Sequence, residues 1–208
     1  MIFDKDCRDC PRLSNFLDEV NSRYPDYYCR PVPPFGAPQA RFLIVGLAPG
    51  MHGANRSGRP FTGDHAGILL YQMLHKYGFS SRDHSESADD GLDLIDCRIT
   101  NAVKCLPPDN KPVGAEINTC NRFLANELKS LPAGAVVVAL GGIAHRAIIK
   151  AMGLRQADYK FGHAALHETG HFSILDSYHC SRYNTNTRRL TEEMFDAIFA
   201  QARSLLAK

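Results

Sequence analysis

What the chain lacks narrows its class first. No apolar run approaches the ~20 residues that a membrane span requires. The first residues, MIFDKDCRDCPR, are charged and hold no apolar signal-peptide core. A cytoplasmic protein that does not engage a membrane is expected. No segment repeats, and none is of low complexity. Charge is nearly balanced: 24 Lys and Arg stand against 22 Asp and Glu, a net of +2. Overall charge therefore does not announce a polyanion partner. At 208 residues the whole chain, 1–208, is expected to form one domain. A chain of this size buries roughly 70% of the surface its unfolded form exposes, so it needs no disulfides to stay folded.

The charge is uneven along the chain, however. Residues 83–96 hold six acids, while Arg182, Arg188 and Arg189 cluster near the end. A local basic patch of that kind serves a polyanion without raising the total much. Seven cysteines, an odd number, point in a reducing compartment to a metal site with free thiols left over. Cys7 and Cys10 form C-x2-C, and Cys105 and Cys120 have fourteen residues between them. Four thiolates from two distant segments suit zinc or an iron–sulfur cluster equally on their chemistry alone. Cys29, Cys97 and Cys180 read as free thiols.

Hydrophobic patterning predicts alternating strands and helices. Residues 41–47, 97–103, 135–141 and 172–178 are short apolar runs bounded by turn residues, hence buried strands. Helices are expected over 67–78, ended by Gly78, over 115–131, and over 142–153, ended by Gly153. Thr191 caps a last helix whose buried face is Leu190, Met194 and Ile198, with Glu192 and Glu193 suiting its dipole. Residues 30–40 are a proline-rich connector and 80–91 a polar loop. This order gives an α/β fold: a short, mostly parallel central sheet covered on both faces by helices. In such sheets ligands sit beyond the carboxyl ends of the strands. Three segments fall there: the loop 47–64, Asn101 and His179.

The loop, within GLAPGMHGANRSGRPFTGD (46–64), holds five glycines and two prolines. It carries neither G-x-x-x-x-G-K-[ST] nor G-x-G-x-x-G, which argues against a nucleotide cradle. A long structureless loop inside a compact domain is uncommon unless functional. A third reading is a small-ligand pocket walled by backbone, with Phe61 as a stacking face and Asp64 as its charge.

The chain's G-L-A-P-G-x-H-G-x-N-R-x-G-R-P-F-T-G-D, T-N-A-V-K-C-L-P-P and S-Y-H-x-S-x-x-N-x-N-T-x-R-L-T resemble family 5, or type B, of the uracil-DNA glycosylase superfamily. With the cysteines the motifs span residues 7–191. The resemblance implies a three-layer α/β/α fold and a monofunctional enzyme of base excision repair. That enzyme removes uracil, and other deaminated bases such as hypoxanthine, from DNA to leave an abasic site, and acts as a monomer. Leu47 stands where related families carry Gln or Glu, and the motif-ending Asp64 is characteristic of type B.

Such an enzyme flips the nucleotide and reads the Watson–Crick edge. A carboxamide matches uracil O4 and N3–H at once, and the resemblance places the reader at Asn101, which by itself also reads as a strand-ending asparagine. Phe61 is expected to stack on the base, with Gly46, Leu47, Ala48, Pro49 and Gly50 supplying backbone around it. Asp64 would stabilise the cationic sugar and orient or deprotonate water, and it also reads as a helix N-cap. The resemblance gives His179 the departing O2 as an oxyanion donor. His84 and His145 read as structural, and His52 stays open. Many family members read H-P-S-P-L after the last strand. This chain reads H-C-S-R-Y, leaving Arg182 and Tyr183 as alternative wedges into the duplex. Asn184, Arg188 and Arg189 join them as expected DNA contacts. The resemblance favours [4Fe-4S] over zinc at Cys7, Cys10, Cys105 and Cys120, as a staple for the N-terminal segment. A non-catalytic, metal-stabilised nucleic-acid-binding or redox module would explain the cysteines and arginines but not Asp64, Asn101 and His179. A small-molecule phosphate enzyme would require phosphate affinity at the loop.

Overall fold

Apolar strands without alternation persist only where both sheet faces are covered. The computed structural model, which describes residues 3–207, has that arrangement. Met1 and Ile2, the start of the charged N-terminal stretch, and Lys208 lie outside the described residues. In chain order the elements are α1 (Pro11–Arg23), β1 (Phe35–Gly36), β2 (Phe42–Gly46), α2 (Ala54–Ser57), α3 (His65–Lys76), β3 (Cys97–Asn101), α4 (Gly114–Lys129), β4 (Ala135–Leu140), α5 (Gly142–Ala151), β5 (Leu166–Glu168), β6 (Phe172–Ser177), α6 (Arg182–Asn186) and α7 (Glu192–Leu206).

The sheet order is β1-β3-β2-β4-β6-β5. The inner four strands are parallel and the two edge strands antiparallel. Alternate residues of each inner strand enter opposite cores. Phe42, Ile44, Ile99, Val138 and Leu175 pack with Leu70 and Leu74 of α3 and with Phe195, Ile198 and Phe199 of α7. Leu43, Val45, Val137, Ala139 and Ile174 pack with Leu124 and Leu128 of α4 and with Ala144 and Ile148 of α5. The layers are therefore helix, sheet, helix. Gly46 of β2 stands level with Asn101 of β3, so both strands deliver their last residues to the same edge.

The strands and long helices read from the sequence lie within two residues of their observed ends. Five elements were not read. In α1, Pro11 opens the helix, and Leu13, Leu17 and Val20 form the buried stripe. Strands β1 and β5 are two and three residues long, too short for a period to show. Helices α2 and α6, of four and five residues, sit in segments read as loop.

Two buried polar groups brace the frame. Lys104, 1% exposed, extends from just beyond β3 to Glu127 of α4 at 2.6 Å and to Thr100 Oγ1. Arg98 of β3 meets the other oxygen of Glu127 at 3.3 Å. His145 of α5 puts Nδ1 2.8 Å from Asp176 of β6 and Nε2 2.8 Å from the Tyr159 carbonyl. Facing oxygen at both nitrogens, His145 is satisfied as an imidazolium. Burial alone would lower its pKa, but the Asp176 carboxylate and the Tyr159 carbonyl together raise it.

Candidate active site

The ends of β2, β3, β4 and β6 and the loop after β2 enclose a cavity of about 400 Å³. Leu47, Ala48, Gly50, Phe61, Asp64, Asn101 and His179 all line it. The three segments placed there from sequence are thus brought together. Gly46 and Pro49 are not on its wall. Gly46 acts from behind: a Cβ there would collide with Asn101 Oδ1 and lie 2.7 Å from Phe61 Cζ. The bare backbone is what lets the carboxamide and the ring approach β2.

The loop 47–64 is not structureless, because α2 forms inside it. Asn55 of α2 is fully buried and its Nδ2 donates to Cys29 Sγ. Arg59 is held by Asp90 at 2.7 Å and lies over the Phe35 ring. Thr62 Oγ1 is 2.8 Å from Ser85 Oγ, and Tyr71 OH donates to the Pro60 carbonyl. These anchors hold Phe61 at φ +54°, a conformation that costs a side-chain residue about 1–2 kcal/mol. Phe61 is only 6% exposed and belongs to the core of the α3 face, yet it also lines the cavity. Its ring lies 5.9 Å from that of His179, at 26°. That gap is narrower than the roughly 7 Å a flat ring needs between two others, at ~3.5 Å per contact. A flat ring therefore does not fit between the two.

Asp64 divides its carboxylate. Oδ1 accepts from Gly67 N–H at 2.8 Å, which caps α3. Oδ2 lies over the Gly53 turn, where a Cβ would come within 2.6 Å of it. Burial raises the pKa of Asp64, and the backbone N–H groups of Gly67 and Ala66 partly offset this. Asn101 is 4% exposed, and its Oδ1 has no hydrogen-bond partner. His179 Nδ1 is likewise buried without a partner, and burial lowers this imidazole's pKa to about 4. It is a neutral ring at physiological pH. Two orphaned polar atoms beside a buried carboxylate are costly in a folded protein unless a ligand satisfies them.

Around the mouth, Arg182 lines an outer groove that shares Gly50, Asp64 and Asn110 with the cavity. Tyr183 is 72% exposed on α6. Asn184 is not on the cavity wall: its Nδ2 donates to the His179 carbonyl at 2.8 Å. Arg188 is exposed at φ +56°, away from the cavity. Arg189 lies over the Tyr178 ring at 4.7 Å. His84 is exposed against Asp83, and His52 is bonded to the Tyr27 hydroxyl. Leu140, Gly141, Gly142 and Ile143, the turn from β4 into α5, form a wall that the sequence reading did not assign. The glycine pair after the most apolar run was the available signal.

Elsewhere, Cys7, Cys10, Cys105 and Cys120 line one small cavity with Leu13 and Phe123. Arg122 Nη2 donates to Cys7 Sγ at 3.4 Å and Lys104 N–H to Cys120 Sγ at 3.3 Å. Of the thiols left over, Cys97 and Cys180 are buried, and Cys180 donates to the Ala66 carbonyl.

Comparison with known proteins places these features in a family. The model of the uracil DNA glycosylase superfamily matches residues 33–203. A type-5 uracil-DNA glycosylase of Thermus thermophilus is 47% identical over 205 residues, covering 96% of this chain and 93% of its own. A type-5 uracil-DNA glycosylase of Pyrobaculum aerophilum is 41% identical, covering 94% and 87%. A type-4 uracil-DNA glycosylase of Sulfurisphaera tokodaii is 31% identical, covering 80% and 72%. With its cavity at the strand ends and these matches across nearly its whole length, the chain belongs to the uracil DNA glycosylase superfamily.

Proposed function

We propose that this uracil-DNA glycosylase is a monofunctional hydrolase of deaminated bases, acting as a monomer on DNA in the cytoplasm. The observation that carries the reading is the convergence of Asp64, Asn101 and His179, two of them with unpartnered polar atoms, on one cavity. Asn101 Oδ1 accepts from uracil N3–H while its Nδ2 donates to O4. The base lies on Phe61. The bond between N1 and C1′ breaks, and its electron pair leaves with the base, where His179 donates to O2 as charge develops there. A neutral imidazole suits that role because it needs no proton from solvent. Asp64 faces the cationic sugar and takes the proton of the water whose oxygen bonds C1′. Leu47, Leu140 and Ile143 keep the cavity apolar, which strengthens each of these contacts. Leu47 sets no polar side chain against the base, which is compatible with a purine such as hypoxanthine as well as with uracil. Tyr183, the exposed ring on α6, is the favoured wedge, and Arg182 contacts the phosphate beside it.

Cys7, Cys10, Cys105 and Cys120 would hold a [4Fe-4S] cluster, which supplies cross-linking between distant segments when bound. Two of the sulfurs already accept N–H donors, as cluster thiolates do. Zinc at 2.3 Å from four sulfurs sets them about 3.8 Å apart. Among the described residues the donor set gathered within 4.8 Å is His145, His167 and Asp176, so the cysteines are spread wider than zinc requires. Four irons per chain by elemental assay are expected, and one zinc would contradict the assignment.

The test of function is an end-labelled duplex carrying one uracil or one hypoxanthine, incubated with protein and then treated with alkali. Cleavage is expected only after alkali, for both bases, with no covalent adduct trapped by borohydride. Cleavage without alkali would contradict a monofunctional enzyme, and an intact hypoxanthine strand would confine the range to uracil.

A further inference from the structure

The two walls of the cleft differ in charge, and the difference assigns a path to the DNA strand. Outside the base cavity, the outer groove includes Asp83 and Glu86, with Arg182 as its one Lys or Arg. The two acids belong to the stretch 83–96, which has six acids and no Lys or Arg. The opposite wall starts at the turn into α5. Gly142, which lines the base cavity, has Arg146 Nη1 and the Phe161 ring 3.3 and 3.6 Å from where its Cβ would be. Phe161 lies 6.2 Å from the Tyr178 ring, and His163 stacks on Tyr178 at 5.0 Å. The Arg189 guanidinium sits 4.7 Å above that same ring. Aromatic and basic groups therefore run from the cavity to Arg189, beyond the end of α6. Apart from Arg182, which lines the outer groove, residues 142–190 contain six Lys and Arg but three Asp and Glu. One of the three, Asp176, is fully buried against His145 and His167. Arg146 and Arg189 are exposed, and neither forms a salt bridge among the described residues.

This wall is also preformed. The segment 159–167 is tied down by the Tyr159 carbonyl on His145, by Gly162 N–H donating to Asp176 Oδ2 at 3.3 Å and by His167 at 3.1 Å from the same oxygen. A cation spread over an aromatic face keeps its outer donors free for phosphate. We infer that the lesion-bearing strand lays its phosphates along the wall of α5, Phe161, Tyr178 and Arg189, with Arg146 and Arg189 as contacts, and stays off the wall of Asp83 and Glu86. The inference rests on the proposed action on DNA.

The test is the salt dependence of binding to a duplex carrying a non-hydrolysable deoxyuridine analogue, measured by fluorescence anisotropy, beside single-turnover uracil release from a uracil duplex at saturating enzyme. Arg146→Gln and Arg189→Gln are each expected to weaken binding several-fold and to flatten the slope of log Kd against log salt by about 0.9, as for one lost phosphate contact. Single-turnover release is expected to need more enzyme to saturate in each arginine variant, in proportion to its loss of binding. Asp83→Asn with Glu86→Gln is expected to tighten binding, and Lys129→Gln, at the far end of α4, to leave the slope alone. Unchanged slopes in both arginine variants, or an equal loss in Lys129→Gln, would overturn the path. Failure of the parental protein to release uracil would instead count against the glycosylase reading, because the slopes are measured without turnover.

Discussion

Asp64 shows how one side chain serves both the fold and the site. Oδ1 caps α3 while Oδ2 is left over Gly53, and burial pushes the pKa up. A carboxyl whose folded pKa is raised favours the folded state below its unfolded pKa, and that contribution is lost as pH rises through the folded value. At neutral pH the charged Asp64 therefore costs stability. Asp64→Asn keeps the cap and removes the charge, so its Tm is expected to exceed the parental value at pH 7, with the gap closing toward pH 3. Turnover should nevertheless be lost while uracil DNA still binds. The acid limb of kcat/KM is expected above an ordinary aspartate's pKa, where Asp64 takes a proton, because His179 stays neutral down to about 4. A limb at the usual imidazole value would assign it to a histidine instead. Asp64, Asn101 and His179 were legible in the sequence because each follows a strand or opens a helix. Asn184 was not: its amide holds the His179 carbonyl, a five-residue contact that no periodicity reveals. Phe61 was legible as a stacking face but not as a core residue at positive φ, since that depends on what Arg59, Thr62 and Tyr71 hold in place.

The loop between β2 and α3 behaves as a built element. Gly53→Ala would drive a methyl into the Asp64 carboxylate, at 2.6 Å. Circular dichroism should show the fold retained and assay should show uracil release strongly reduced; undiminished release would mean that Asp64 need not sit where it does. The strand carrying Asn101 is fixed from the other side by Lys104 and Glu127. Glu127→Leu leaves the Lys104 ammonium buried and unpaired, and a loss of about 3–5 kcal/mol is expected in urea unfolding. Adding Lys104→Met should recover much of it. The parallel strands were read because a strand buried on both faces is apolar throughout. Elements β1, β5, α2 and α6 were missed because each is too short for a period to repeat, and tertiary anchors decide them. In α1 the signal was present, since Pro11 and the Leu13, Leu17, Val20 stripe are a helix pattern, but the cysteines drew attention to a metal site there.

Seen entire, the molecule is an α/β/α frame whose strand ends meet at one cavity and whose N-terminal segment sets Cys7 and Cys10 around one small cavity with Cys105, just after β3, and Cys120 of α4. Lys104 lies between the proposed base reader and Cys105, and its N–H bonds Cys120. Removing the proposed cluster is therefore expected to lower Tm and to open the segment around Cys7 and Cys10 to protease, with base release impaired as Asn101 loses its support. An N-terminal segment equally resistant with and without metal would contradict the staple. The layered, mostly parallel sheet and the convergence at its carboxyl edge followed from alternation, but the strand order with its two antiparallel edges did not. The path of DNA did not, because it depends on which charged side chains share a wall. The most direct measurement is single-turnover release of radiolabelled uracil from a duplex, by the parental protein and by Asp64→Asn at matched occupancy. Release by the first and its absence in the second, with equal binding, is the expected result. Equal release by both would contradict the account, for the cavity's buried carboxylate would then have no part in breaking the bond.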